Sequence, residues 1–206
     1  MTTEATLFLG ELDPEALGES LQYATHYDAT PIADFERLIA ETTLAPGETT
    51  FIDLGCGMGR VLLLAARGAF RQVVGVEFSP ALCEVARENI ERCAGRLRRC
   101  RDVRIVCDDA KDYRLPRGAL VVYMFNPFHG PVLSAVVARL AKHPAELNVI
   151  YHTPLQRRFF DTNPAFEIVA DHPWAVIYRN KRSAGTRPGP DLRSEAAGRQ
   201  RSSARS

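Results

Sequence analysis

The sequence predicts an α/β protein: a doubly wound, mostly parallel seven-strand sheet with a final antiparallel hairpin, a helical N-terminal extension and a disordered basic C-terminal tail. Three observations carry this. From Thr49 onward, short β-rich runs alternate with helical patterns, which is the signature of a parallel sheet with crossover helices. Ala119 to Phe125 is apolar without interruption, as a central strand buried on both faces requires. Only Asp171-His172-Pro173-Trp174 separates the last two β-rich runs, too short for a crossover, so those strands pair antiparallel.

Residues 1 to 30 are weakly patterned, with a short helix expected around Pro14 to Tyr23. Thr30-Pro31 reads as a helix start, because a threonine oxygen accepts orphan backbone N–H groups and proline suits the first helical position. Ile32, Phe35, Leu38, Ile39 and Thr43 then fall on one face, and Pro46-Gly47 ends the segment. Thr49 to Leu54 is a strand, Arg60 to Arg67 an apolar helix and Gln72 to Glu77 a second strand. Ser79-Pro80 repeats the cap and proline start, and Leu82, Ala86, Ile90 and Cys93 share the next helical face. Val103 to Cys107 is the third strand and the run ending at Phe125 the fourth, placed mid-sheet. Leu133, Val136, Val137 and Leu140 mark a helix closed by Pro144; Leu147 to His152 is a strand and Leu155 to Asp161 a short helix. Phe166 to Ala170 and Ala175 to Arg179 complete the sheet. The expected organisation is an extension with a cofactor-covering segment over 1–45, a catalytic domain over 46–182 and a tail over 183–206.

Length and composition fit one domain with appendages: 206 residues, 46% apolar and 25% charged. The longest apolar run is far too short to span a bilayer, and the first residues lack the basic and apolar regions of a secretion signal, so a cytoplasmic location is expected. The five cysteines (Cys56, Cys83, Cys93, Cys100, Cys107) form no CxxC pair and read as reduced thiols; no metal site is expected. Net charge is +1, yet from Lys181 onward seven basic residues face two acidic ones, so the rest of the chain is mildly acidic. That tail, rich in Ser, Gly and Ala, has too little apolar bulk to offset its ordering entropy. Arg87, Arg92, Arg96, Arg98, Arg99, Arg101 and Arg104 form a basic run, but Glu84, Glu88 and Glu91 interleave with it, which suits a solvated helix face better than a nucleic-acid surface.

The sharpest local signal is Phe51-Ile52-Asp53-Leu54-Gly55-Cys56-Gly57-Met58-Gly59-Arg60, a strand running into a glycine-rich turn and a helix. Glycines allow positive φ and close approach of a ligand, and the helix start offers free N–H groups to an anionic group. Two cofactor readings compete. The dinucleotide fingerprint G-x-G-x-x-G needs glycine where Arg60 stands. The observed Asp-x-Gly-x-Gly-x-Gly instead brings an acidic strand end near the turn, where it can face the ammonium group of S-adenosylmethionine. Glu77 ends the second strand, where a carboxylate accepts both hydroxyl protons of a ribose. Asp108 and Asp109 follow the third strand, in reach of an adenine amino group. Pro127 ends the buried strand, so Asn126 projects at the C-terminal sheet edge, where open α/β sheets bind ligands. An asparagine amide there can orient a nucleophile, and an aromatic ring can stack on a flat acceptor. His129 and His152 are the candidate bases, since imidazole titrates near neutral pH.

Together these residues resemble the class I, seven-strand, Rossmann-like S-adenosylmethionine-dependent methyltransferases. Phe-Ile-Asp-Leu-Gly-Cys-Gly-Met-Gly-Arg is similar to the family's first motif, Val-Val-Gly-Val-Glu-Phe-Ser-Pro to its second, Cys-Asp-Asp-Ala to its third and Tyr-Met-Phe-Asn-Pro-Phe to its fourth, in the family's order. The resemblance implies that Asp53, Gly55, Cys56, Gly57 and Gly59 hold the methionine portion and Glu77, followed by Phe78, the ribose. It implies further that Asp109 and Ala110 hold adenine, and that Asn126, Pro127 and His129 form the acceptor side, with Asn126 also beside the cofactor. Tyr27-Asp28-Ala29-Thr30-Pro31 is similar to the Tyr-x-x-Thr loop that covers the cofactor in seven-strand histone-lysine methyltransferases and small bacterial proteins like them, which implicates Tyr27 and Thr30. Phe128 replaces the second proline of the Asn-Pro-Pro-aromatic form, which disfavours nucleobase and glutamine amide acceptors. The expected function is therefore methyl transfer to an N or O nucleophile on a small molecule or protein, ahead of nucleic acid. A nicotinamide-dependent oxidoreductase and a catalytically silent cofactor-binding protein are the alternatives.

Overall fold

The computed structural model describes residues 30–93 and 99–181. The expected Pro14 to Tyr23 helix, Tyr27, Arg96, Arg98 and the basic tail lie outside the described residues. The elements are α1 (Ile32–Ala40), a single 3₁₀ turn (Pro46–Glu48), β1 (Thr50–Leu54), α2 (Arg60–Ala66), β2 (Gln72–Glu77), α3 (Pro80–Arg92), β3 (Val103–Cys107), β4 (Leu120–Phe125), α4 (Gly130–Ala141), β5 (Leu147–His152), α5 (Arg158–Asp161), β6 (Phe166–His172) and β7 (Ala175–Asn180).

The strands form one seven-stranded sheet in the order β3-β2-β1-β4-β5-β7-β6, with β4 at its centre. Five strands run parallel. β7 inserts antiparallel between β5 and β6, pairing Ile177 with Ile150, and β6 returns along its outer edge. The hairpin turn is tighter than the sequence suggested: Asp171 and His172 remain in β6, leaving Pro173 and Trp174 as the connection.

Side-chain alternation along the strands sorts the core into two layers. Ile52, Leu54, Val122 and Met124 face α4 through Val132, Leu133, Val136 and Leu140. Phe51, Val121, Tyr123 and Ile150 face Phe35 and Leu38 of α1 and Val61, Leu62 and Ala65 of α2. β4 is buried from Leu120 to Met124, which explains why its sequence carries no polar alternation.

Thr30 does not cap α1. The helix starts at Ile32 behind Pro31, with no side-chain cap, because the Thr30 hydroxyl is drawn inward to the Tyr123 hydroxyl at 2.9 Å. Ile32 is consequently 43% exposed, and the buried face narrows to Phe35 and Leu38. Ser79 does cap α3, accepting from the Leu82 N–H at 3.3 Å. On that helix Arg87 pairs with Glu84 and Arg92 with Glu88, as a solvated face requires. All five cysteines are free thiols.

Candidate functional site

β1 delivers its chain into the glycine turn, and the turn is fastened from three sides. The Val76 carbonyl accepts from both the Gly55 and Cys56 N–H groups, at 2.8 and 3.1 Å, so the turn hangs on the end of β2. Gly55, Gly57 and Gly59 all have positive φ, at 80°, 51° and 82°. At Gly55 glycine is also demanded by space: a Cβ there would lie 2.4 Å from the Pro127 Cβ. The first and fourth motifs therefore touch, the glycine turn of β1 against the turn that follows β4. From α3, the buried Asn89 donates to the Met58 carbonyl at 3.0 Å. Cys56 is buried and directs its sulfur over Gly75, where a Cβ would meet it at 2.7 Å, so its side chain acts in packing. Arg60, which stands where a dinucleotide fingerprint needs glycine, donates through Nε to the Thr30 carbonyl at 2.8 Å.

Two carboxylates are buried beside this turn. Glu77 Oε2 accepts from the Gly57 N–H at 3.0 Å and Oε1 from the Ser79 N–H at 2.9 Å. Burial raises its pKa, and the N–H groups of Ser79, Gly57 and Phe78 hold the rise back. Asp53 is 3% exposed; burial pushes its carboxyl well above the usual range and the Glu77 charge pushes it further. Among the described residues no basic side chain offsets either shift. Buried carboxylates of this kind call for a cation and for hydroxyl donors. S-adenosylmethionine brings an ammonium, a sulfonium and a ribose diol, so the residues present fit that cofactor.

The remaining sequence-predicted residues fall around the same C-terminal sheet edge. Thr30 is buried against Tyr123 at the start of α1. Phe78 follows Glu77 and is half-buried. The Asp108 N–H donates to the Glu77 carbonyl at 3.0 Å, setting the third motif beside the second. Asp109 turns its carboxylate to its own loop, accepting from the Lys111 N–H and pairing with Lys111 Nζ, each at 3.0 Å. Ala110 packs on the α4 side of the core. Asn126 has a φ of 43°, a left-handed conformation for a residue with a side chain, and its Oδ1 accepts from the Tyr151 hydroxyl at 3.1 Å. Pro127 packs on Gly55, and His129 is the residue before α4. The Phe128 ring lies in the core, only 7% exposed, so it is not available to stack on an acceptor.

His152, at the end of β5, sits among the rings of Phe125, Trp174 and Tyr123, with centroids 4.1, 5.3 and 6.4 Å away. Its Nδ1 lies 3.0 Å from Thr153 Oγ1 and its Nε2 3.8 Å from Asp34 Oδ2 of α1. Tyr151, Asn89, Tyr123, Trp174 and Asp34 thus hold or surround the site without having been identified from the sequence. Each acts on a partner at least 22 residues away, so no local pattern reveals it.

Among the described residues no group of acidic, histidine and cysteine side chains is arranged to hold a metal ion, and no helix is long and apolar enough to cross a membrane.

Comparison with known proteins agrees with this geometry. Residues 51–145, from β1 into the loop before β5, match the family model described as a methyltransferase domain. Ribosomal protein L11 methyltransferase of Burkholderia thailandensis is 37% identical over 82 residues, which are 40% of this chain and 25% of that protein. The chain thus spans about a quarter of the length of the curated relatives it matches. In fold it is similar to an S-adenosylmethionine-dependent methyltransferase from Aquifex aeolicus, with a TM-score of 0.56 and 13% identity over 85% of this chain and all of that one. It is also similar to the 23S rRNA methyltransferase ErmE, with a TM-score of 0.54 and 16% identity over 75% of this chain and 69% of that one. Residues 51–145 thus form a methyltransferase domain, and the ordered motifs and the sheet order are similar to those of the class I, seven-strand S-adenosylmethionine-dependent methyltransferases.

Proposed function

We propose that this chain moves a methyl group from S-adenosylmethionine to a nitrogen or oxygen nucleophile held at the C-terminal end of β4. The observation that carries the reading is the contact of Gly55 with Pro127, which joins the glycine turn and its two buried carboxylates to the Asn126 turn. A donor-holding element and an acceptor-facing element are thereby neighbours. The cofactor, when bound, supplies an electrophilic methyl on a sulfonium.

The chain's own residues supply position. Asp53 is suited to hold the ammonium and the glycine turn to approach the methionine portion closely. Glu77 is suited to hold the ribose hydroxyls while it keeps the Gly57 and Ser79 N–H bonds. Asp109 and Ala110, the residues implicated for adenine, follow β3, where the Asp109 carboxylate also holds Lys111. Tyr151 fixes the Asn126 side chain, so that its amide is set to orient a nucleophile. Fixed orientation is the main contribution a protein makes to an in-line displacement. His129 and His152 are the residues suited to accept a proton from an acceptor.

The relatives named above act on a ribosomal protein and on rRNA, so both classes belong in the search for the acceptor. The described surface favours a protein or small molecule: the arginines of α3 are paired with glutamates of the same helix. A nicotinamide oxidoreductase is disfavoured by Arg60 and by β7, which breaks the 3-2-1-4-5-6 order of dinucleotide-binding sheets.

The test is transfer of label from methyl-labelled S-adenosylmethionine into a cell extract, followed by protease, nuclease and small-molecule fractionation. Label in a protease-sensitive or small-molecule fraction is expected. Label released by nuclease would reverse the acceptor preference. Cofactor binding without transfer to any fraction would leave a silent binding protein.

A further inference from the structure

Two thiols flank the Glu77 backbone, one from each neighbouring element. Cys107, the last residue of β3, is the register partner of Glu77 and is exposed. Cys83, in the first turn of α3, is buried and donates its S–H to the Glu77 carbonyl at 3.3 Å. The same carbonyl accepts the N–H of Asp108, the residue after Cys107. Val103 and Ile105 of β3 pack in the same layer as Ile90 of α3, so strand alternation puts Cys107 on the face that α3 covers. A buried thiol and an exposed thiol therefore both adjoin the strand end that carries the proposed ribose carboxylate.

We propose that Cys83 and Cys107 form an oxidation-sensitive pair whose disulfide weakens cofactor binding. The exposed Cys107 reacts first with a peroxide. Its thiolate attacks one peroxide oxygen, the O–O bond breaks, and water and a sulfenic acid result. The Cys83 sulfur then attacks the sulfenic sulfur and a second water leaves. One hydrogen peroxide is reduced to two waters as two thiols become one disulfide.

The consequence for binding follows from geometry. A disulfide holds its Cβ atoms about 3.8 Å apart, closer than the side chains of two unlinked thiols stand. Closure draws the start of α3 toward the end of β3 and withdraws the S–H from the Glu77 carbonyl. The turn being pulled contains Ser79, whose N–H holds the Glu77 carboxylate. This effect rests on Glu77 belonging to the cofactor site; formation of the disulfide does not.

The experiment oxidises the full chain with graded hydrogen peroxide, quenches it, and splits the sample. Non-reducing tryptic mapping separates the two cysteines, since Cys83 lies in peptide 72–87 and Cys107 in peptide 105–111. Calorimetric titration with S-adenosylhomocysteine reads the binding. The expected result is a linked pair of these peptides together with about tenfold weaker binding, reversed by dithiothreitol and absent in Cys107→Ser. Oxidation of Cys107 without the link, a link to another cysteine, a link with unchanged affinity, or full loss of affinity in Cys107→Ser would each overturn the proposal. If the reduced protein does not bind S-adenosylhomocysteine, the cofactor reading itself fails, and the peptide map still decides whether the thiols pair.

Discussion

Asp53 and Glu77 are both buried carboxyls, and their difference in surroundings gives them different expected behaviour. Glu77 has two of its acceptor positions filled by backbone N–H groups, so its removal strips a positioned acceptor from a turn that stays tied to Val76. Glu77→Ala is expected to weaken S-adenosylhomocysteine binding by about 1.5 to 3 kcal/mol, roughly 10- to 150-fold, with the fold intact by circular dichroism. Unchanged affinity would remove Glu77 from the site. Asp53 has a folded pKa raised well above its usual 3.8, first by burial and then by Glu77. Its stability contribution is therefore fully present below the ordinary carboxyl value and is lost as pH rises through the raised one. A bound cation reverses the sign of that shift, so S-adenosylmethionine binding should expel a proton between the bound and free values. Calorimetric enthalpies in buffers of different ionisation heat are expected to show net proton release, and Asp53→Asn to abolish it; release that persists in the variant would assign the proton elsewhere. Asn126 belongs to the acceptor side. Asn126→Ala is expected to lower single-turnover rate far more than donor affinity, because orientation lost in the transition state is expressed in the rate. Parallel losses would move Asn126 into the cofactor pocket.

The turn after β1 and the turn after β4 are built as one unit through Gly55 and Pro127. Gly55→Ala needs both a positive φ at a side-chain residue and a Cβ 2.4 Å from that of Pro127, with a rigid proline ring rather than a flexible tip in the way. A loss of about 2 to 4 kcal/mol in denaturant unfolding is expected, accompanied by weaker donor binding. A variant of wild-type stability would show that the two turns move independently. This contact also marks where sequence patterns stop being informative. The bounds of β2, β3 and β5 follow from short β-rich runs closed by turn residues, and Ser79 caps α3 as its spacing suggests. Thr30 fits the same capping pattern yet points elsewhere, because its partner Tyr123 lies 93 residues away. Phe128 looks equally available beside Asn126, yet the core of α4 claims its ring. The first three motifs are legible because each is a strand end with its own short signature. The acceptor surroundings are less so, since Tyr151, Trp174 and Asp34 come from separate elements and converge only in space.

At the scale of the whole molecule, the described sheet ends at Asn180, just before the basic tail. β7 lies between β5 and β6, and its last residue seals the opposite end of the sheet from the site. Asn180 Oδ1 accepts from the Leu147 N–H at 2.8 Å, and its Nδ2 donates to the Ala145 carbonyl at 2.9 Å. The Lys181 N–H then reaches the Ala165 carbonyl at 2.7 Å, the final backbone bond of the described hairpin. Every core residue among the described residues, both carboxylates and the Asn126 turn precede this point. Residues 183–206 carry Leu192 as their one large aliphatic side chain and no aromatic ring, so they have little surface with which to stabilise the body. Truncation after Arg182 is expected to leave the melting temperature within about one degree of the full chain and S-adenosylhomocysteine affinity unchanged. If the tail instead guides an acidic or nucleic-acid acceptor, the truncated chain should keep its donor affinity while methyl transfer loses its dependence on ionic strength. A fall of several degrees in melting temperature would show that the tail docks on the sheet domain, and it would make the boundary at residue 182 one of composition alone.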